Sequence, residues 1–508
     1  MKRHTFIKNA LILTVTSLIL RTIGIFFRIY LSNIVGAEGM GLYQLVFSIY
    51  VLASTFASAG ICTAVTRIIT DELVCGTRKS VLNVLRKAIF LSVTIGIISS
   101  LLVFFGSDII AAYWLRDTRT APALRILTIS LPFMGVTSCL RGYFIARRRV
   151  SSPSRAQIFE QIVRIAIIMF LMKNFADKGL AFMCGAVLAG DAIAEISSCI
   201  YLWIGYLLDK KKLDKTAAAS CSNKRGVFFR LIEIALPITA GRYLNTILRT
   251  IENTLVPTSL TKFSGSKEQG LSEFGMLKGM VMPLLFFPAS FLNAMTTLLI
   301  PEISEANALN QKIKVNIAVN KALQLTLTAS ILISGIFTVF ADELGMMIYH
   351  SKEVGYLLKV LAPLMPIMYL ESIVDGLLKG LNQQVSSLKY SVLDSVTRII
   401  LILFIVPYSG MNGFLIIMVY SNYLTSGLNL RRLLKVTGIK MQWSRWILKP
   451  FLAIATCGTV ATLLKTQPLV QSLPLLAIII LLGLLIILLY VILMPLLGCV
   501  KRQDLRFK

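Results

Sequence analysis

What this chain lacks narrows it first. It has two histidines, His4 and His350, among 508 residues, and eight scattered cysteines with no Cys-x-x-Cys pair. A His-based zinc site or catalytic triad is therefore excluded, and the cysteines read as small apolar residues with free thiols. Acid is scarce, with 24 Asp and Glu against 52 Lys and Arg, a formal charge of +28. Charge of either sign is also sparse, at 15% of residues. No Walker A string occurs, which argues against ATP hydrolysis in this chain. Nor does an aromatic-plus-basic stripe or a known nucleic-acid fold accompany the positive charge, which excludes nucleic acid as partner.

What is present is apolar sequence. Hydrophobic residues make up 56% of the chain and the mean hydropathy is +0.77. Runs of about 20 apolar residues recur from end to end, each long enough to cross ~30 Å of hydrocarbon. The reading is an all-α polytopic membrane protein of about fourteen spans, at 5–33, 41–69, 81–105, 121–146, 154–173, 178–208, 227–257, 271–300, 315–340, 355–381, 386–407, 411–433, 446–465 and 472–498. The first run continues past Tyr30, is broken by Arg21 and lacks an A-x-A cleavage site, so it is an uncleaved helix rather than a signal peptide.

Loop charges alternate. One side collects Arg78 and Lys79, then Arg147, Arg148, Arg149 and Arg155, then Lys210 to Arg225, Lys312 and Lys314, Arg431 to Arg445, and the tail from Lys501 to Lys508. The other has a few isolated cations, such as Arg116, Arg119, Lys262 and Lys267. Positive loops stay inside, so both termini are expected in the cytoplasm of a bacterial cell membrane.

The chain repeats itself. At a shift of 234 residues, Lys87 falls on Lys321, Asp108 on Asp342, Pro132 on Pro366, Gly142 on Gly376, Glu160 on Asp394, Arg164 on Arg398 and Gly179 on Gly413. At a shift of 221, Arg21 falls on Arg242 and Arg28 on Arg249. The expected domains are two pseudo-symmetric six-helix lobes, 1–215 and 226–445, followed by two further helices and a basic tail, 446–508. Transporters of such build bind substrate between the repeats near the membrane midplane.

Charge inside the membrane marks the candidate site. A central arginine costs roughly 2.5–3.5 kcal/mol to insert, so four together would cost on the order of 10–14 kcal/mol in lipid. Arg21 and Arg28 lie seven residues apart, on one helix face and about 10 Å apart along the axis. Arg242 and Arg249 repeat that spacing. No carboxylate lies between Lys8 and Glu38 to neutralise the first pair, whereas Arg249 has Glu252 three residues on. The four are expected to face a wet central cavity and bind an anion, the planar guanidinium being suited to two phosphate oxygens at once. Glu160 with Arg164, Asp394 with Arg398, and Asp375 with Lys379 read instead as neutralising i,i+4 pairs. Asp191, Glu195, Glu233 and Glu371 read as helix-pairing carboxylates, with coupling-cation binding the lesser alternative. Pro237, Pro283, Pro288, Pro363 and Pro366 interrupt apolar spans and read as kinks.

Thr5-Phe6-Ile7-Lys8, Arg21-Thr22-Ile23-Gly24, and Gly36-Ala37-Glu38-Gly39-Met40-Gly41-Leu42-Tyr43 resemble the start of the stage V sporulation protein B family. Leu140-Arg141-Gly142-Tyr143-Phe144, Glu160-Gln161-Ile162-Val163-Arg164-Ile165 and Pro301-Glu302-Ile303-Ser304-Glu305 extend the likeness along the chain. That family sits in the multidrug/oligosaccharidyl-lipid/polysaccharide exporter superfamily and is similar to lipid II and polysaccharide flippases. The resemblance implies a two-lobed fold and a role in spore-cortex peptidoglycan. It also implies that Arg21 and Arg28 meet a lipid pyrophosphate, in a motif where Ile25 replaces the usual Phe.

The expected function is a flippase or exporter of a lipid-linked anionic glycan precursor, acting by alternating access. The expected partners are a polyprenyl-pyrophosphate-linked glycan, membrane lipids and a coupling ion, with no cofactor and no metal. Alternatives are a cation-coupled multidrug antiporter of the same superfamily, which would want unpaired cavity carboxylates, and a non-transporting membrane partner in a sporulation complex. A membrane glycosyltransferase would want acidic residues in sizeable outer loops, and these loops are short. No enzymatic step is expected.

Overall fold

The computed structural model describes residues 3–58, 60–75, 78–175, 179–211 and 226–499. The basic stretches holding Lys212, Lys215, Lys224 and Arg225, and Lys501, Arg502, Arg506 and Lys508, lie outside the described residues, as does Cys221. The described chain is helical, with no strand. Its contacts group it into two compact units, one of residues up to 27 and 34–275, the other of 28–33 and 276–508.

In the first unit α1 runs Arg3–Ser58 and α2 Ile61–Cys75. Then come α3 (Arg78–Ile109), α4 (Ala121–Thr128), α5 (Leu131–Ala146), α6 (Ser151–Phe175), α7 (Leu180–Lys210), α8 (Val227–Ser264) and α9 (Lys267–Gly275). The expected spans 5–33 and 41–69 are one rod bent at Gly36, whose φ of 74° and ψ of −179° only glycine adopts without strain. One core packs Ile61 to Ile69 of α2, Val81 to Ala88 of α3, and Tyr143 and Phe144 of α5. A second packs Leu42 to Ile49 of α1 against Leu124 and Leu127 of α4 and Leu188 of α7.

Ion pairs close this unit at each end. At one end Arg119 holds Glu38 (2.8 Å) and Asp117 (2.9 Å), and Lys267 lies 3.4 Å from Asp117. At the other, Arg230 of α8 bridges to Glu72 of α2 at 3.1 Å. There too, buried Asp209 takes a hydrogen bond from Tyr143 Oη (2.9 Å) and ion pairs from Arg147 (3.1 Å) and Arg149.

The second unit comprises α10 (Met282–Phe286), α11 (Ala289–Ala308), α12 (Lys312–Val339), α13 (Ala341–Tyr349), α14 (Lys352–Leu361), α15 (Met365–Gly380), α16 (Gln384–Thr437), α17 (Lys449–Lys465), α18 (Pro468–Gln471) and α19 (Leu475–Leu496). The expected spans 386–407 and 411–433 are again a single bent rod, with the break at Gly410 (φ 57°). The repeat pairing of Gly179 with Gly413 thus joins a helix start to a helix interior, the second break falling three residues earlier. The appended helices α17 and α19 pack on each other and on α12 through Ala453, Ile454, Cys457, Leu482, Ile486 and Ile331.

Eight helices among the described residues are long and apolar enough to span a membrane, or nine with the Thr118–Thr128 and Leu131–Ala146 pair, bent by 43°, taken as one. Fourteen spans are consistent with this, for three identifiable reasons, the first being that the expected span 271–300 is divided among α9, α10 and α11. The rods through Gly36 and Gly410 each contain two expected spans. Helices α6 and α8, though 25 and 38 residues long, carry the polar residues described below and fall short on apolarity. Proline divides other spans at four of the five expected positions: Pro283 opens α10, Pro288 precedes α11, and Pro363 and Pro366 lie at the turn between α14 and α15, whereas α8 runs on through Pro237.

Candidate functional site

The first unit contains a cavity of about 680 Å³, a volume in the range of small-molecule sites. Helix α8 supplies Arg242 and Arg249, seven residues and two turns apart, so both project from one face into it. Opposite stand Gln44, Phe47, Ser48 and Val51 of α1, and from α5 comes Arg141. The wall between α1 and α8 is held by side-chain hydrogen bonds. Asn253 Nδ2 donates to Ser48 Oγ (3.0 Å), Ser48 Oγ donates to the Gln44 carbonyl (2.8 Å), and Thr250 Oγ1 donates to the Ser48 carbonyl (3.3 Å).

The lining has three guanidiniums and no carboxylate. Neither Arg242 nor Arg249 forms an ion pair among the described residues. Glu252, the neighbour that could have neutralised Arg249, is buried at 3% exposure. Only Arg141 is paired, donating from Nη2 to Glu160 Oε2 at 3.1 Å. A polar chamber of uncompensated positive charge attracts anions, and arginine forks bind phosphate or carboxylate through paired charge-assisted hydrogen bonds. Among the described residues no three His, Cys, Asp or Glu side chains converge as a metal site.

Arg21 and Arg28 lie outside the lining of this cavity. Arg21 is on an exposed face of α1. Arg28 is half-buried in the 28–33 segment that groups with the second unit, where its charge acts on Tyr349, and Asn33 Nδ2 donates there to the Ile348 carbonyl (3.0 Å). Neither arginine forms an ion pair among the described residues.

The i,i+4 pairs expected from sequence form. Arg164 meets Glu160 at 2.9 Å, Lys379 meets Asp375 at 2.5 Å, and Arg398 meets Asp394. The residue missed was Arg141. Its signal was available: an arginine within an apolar span, with no acid three or four residues away on either side.

A helical, multi-pass membrane protein with an arginine-lined, carboxylate-free cavity is the class defined so far. The chain belongs to the polysaccharide biosynthesis protein family, whose pattern matches residues 6–307. It is similar to stage V sporulation protein B of Bacillus subtilis (strain 168), at 25% identity over 100% of this chain and 98% of that protein. It is also similar to the lipid II flippase MurJ of the same organism, at 21% identity over 78% of this chain and 76% of that one. Among solved structures, a lipid II flippase MurJ in its inward closed conformation matches with a TM-score of 0.70 at 14% identity, covering 95% of this chain and 97% of that one. An inward-facing multidrug resistance MATE transporter of the MOP superfamily matches at 0.63 and 14% identity, over 84% and 100%. The fold is that of this superfamily.

Proposed function

We propose that this protein is a flippase for a lipid-linked anionic glycan precursor, a peptidoglycan precursor for spore cortex, acting by alternating access. The carrying observation is the cavity itself: Arg141, Arg242 and Arg249 with no carboxylate among the lining residues. In this reading the pyrophosphate of a polyprenyl-linked glycan meets Arg242 and Arg249 while the polyprenyl tail stays in lipid. The two repeats, 1–215 and 226–445, are the rocking lobes, and 446–508 is an addition. Both termini face the cytoplasm of a bacterial cell membrane. The step is translocation, with no covalent chemistry. The names of the relatives support it: one is a sporulation protein and another a lipid II flippase.

The antiporter alternative wants acid where this cavity has arginine. One experiment separates them: purify the protein from an endospore-forming host and identify bound lipid by mass spectrometry. Recovered undecaprenyl-pyrophosphate species and their transport in proteoliposomes support the flippase. Only cationic amphiphiles, with transport untouched in well-expressed Arg242→Ala and Arg249→Ala, would overturn it.

A further inference from the structure

Behind the cavity wall the first unit holds a second, buried polar cluster. Glu160 accepts from Arg141 and pairs with Arg164, and Arg164 Nε lies 2.8 Å from Asp191 Oδ1 while its Nη1 donates to Gln161 Oε1 (2.7 Å). One turn beyond Asp191 on α7 stands Glu195, 6% exposed. Its carboxylate lies within electrostatic reach of Glu160, Arg141 and Arg164, yet it enters no ion pair among the described residues. The Thr137 hydroxyl stands beside it without reaching hydrogen-bond geometry, and Arg141 Nε and Ser198 Oγ are likewise buried without a hydrogen-bond partner. The other titratable groups facing the cluster are Tyr43 and Tyr50 from α1, Cys62 from α2, and Cys184 and Cys199 from α7. These carry no charge at neutral pH.

The charges do not balance. Two guanidiniums, Arg141 and Arg164, stand against three carboxylates, Glu160, Asp191 and Glu195. The second half of the repeat differs here. The positions 234 residues on are Asp375, Asp394, Arg398, Thr425 and Asn429, and with Lys379 they form two balanced pairs. The surplus carboxylate belongs to the first half alone. A net charge buried in a membrane domain is costly and is relieved by a bound cation. The cation that a single buried carboxylate takes up without any further ligand is a proton.

We propose that Glu195 is a proton-binding site whose occupancy controls how strongly Arg141, its neighbour in the cavity wall, attracts an anion. A proton on Glu195 removes a negative charge from beside Arg141, so the cavity field becomes more positive and anions bind more tightly. Linkage makes this reciprocal, and anion binding draws a proton onto Glu195. The coupling rests on the anion-cavity reading above, but protonation of Glu195 does not, so the two can fail separately.

The test uses the full-length protein in nanodiscs of uncharged lipid, with two measurements. Infrared difference spectra taken as pH is varied are expected to show a protonated-carboxyl band that titrates with pH and is missing from Glu195→Gln. If wild type shows no such band, or Glu195→Gln keeps it, the proton site is overturned. Binding of sulfate, whose own charge is constant near neutral pH, is then followed by calorimetry in buffers of different protonation heat. Wild type is expected to take up one proton per sulfate on the alkaline side of the band's midpoint, with affinity falling by up to about tenfold per pH unit. Glu195→Gln should bind with a flat pH profile and no uptake, and Glu195→Asp should restore the dependence. An equal pH dependence in wild type and Glu195→Gln overturns the coupling. A titrating band without any sulfate binding supports the proton site and overturns the anion cavity instead.

Discussion

Arg141 Nη2 donates to Glu160 Oε2 at 3.1 Å, while the same guanidinium helps to line the cavity that holds Arg242 and Arg249. One side chain therefore belongs both to the chamber and to the buried network behind it. Glu160 keeps a second partner, Arg164 at 2.9 Å, if Arg141 is removed.

Arg141→Ala should for that reason weaken anion binding without unfolding the protein. Removing one charge-assisted contact corresponds to about 1.5–3 kcal/mol, or roughly 10–150-fold in affinity. Arg141→Lys, which retains the charge but not the planar fork, should recover part of that loss. Binding of a soluble diphosphate to the purified variants measures it, and unchanged affinity in Arg141→Ala would remove this residue from the site.

Backbone contact between α1 and α9 makes a second prediction. A Cβ on Gly275 would sit 1.9 Å from the Ala37 carbonyl oxygen, and one on Gly41 would sit 2.1 Å from that of Leu271. Small residues four apart let two membrane helices approach this closely. Gly275→Ala should lower stability by about 1–3 kcal/mol through overpacking, seen as a drop in detergent melting temperature. Gly24→Ala on the same α1 meets nothing within 4 Å and serves as the control.

The bend in α1 makes a third. Gly36 has open space around it, so a methyl group there meets no neighbour, and only its backbone angles object. Gly36→Ala should cost about 1–3 kcal/mol and reduce transport while leaving the Gly275 contact intact. Equal thermal stability of Gly36→Ala and wild type would show that the rod straightens without penalty.

Asp117, 1% exposed, supplies a pH dependence. Burial pushes its carboxyl up, but hydrogen bonds from the Arg119 side chain and backbone, with the charges of Arg119 and Lys267, hold it below the usual value. A lowered folded-state pKa contributes stability that is present above the unfolded value, about 3.9, and lost as pH falls through the folded one. Asp117→Asn should therefore be less stable than wild type at neutral pH, by about 1–3 kcal/mol. The gap should close in strong acid, below about pH 4. Melting curves across that range check both signs.

Much of this was legible in the sequence because a membrane imposes simple rules. Hydropathy alone determined a helical, multi-pass protein, since every backbone polar group in lipid must be satisfied within its own helix. The i,i+4 ion pairs at Glu160–Arg164 and Asp394–Arg398 followed from helix spacing, and so did the shared face of Arg242 and Arg249. Several prolines foretold where spans break, though α8 runs on through Pro237, and the gaps between expected spans at 34–40 and 408–410 hold Gly36 and Gly410. That the chain bends there without leaving the helix was not legible, because a glycine does not declare its φ. Only tertiary structure decided which charges meet. Arg141 came from α5 to join the two arginines of α8, Asp191 came from α7 to Arg164, and Glu195 was left with no ion pair among the described residues. These contacts join residues up to about a hundred positions apart, and sequence spacing sets neighbours only within a few turns of one helix.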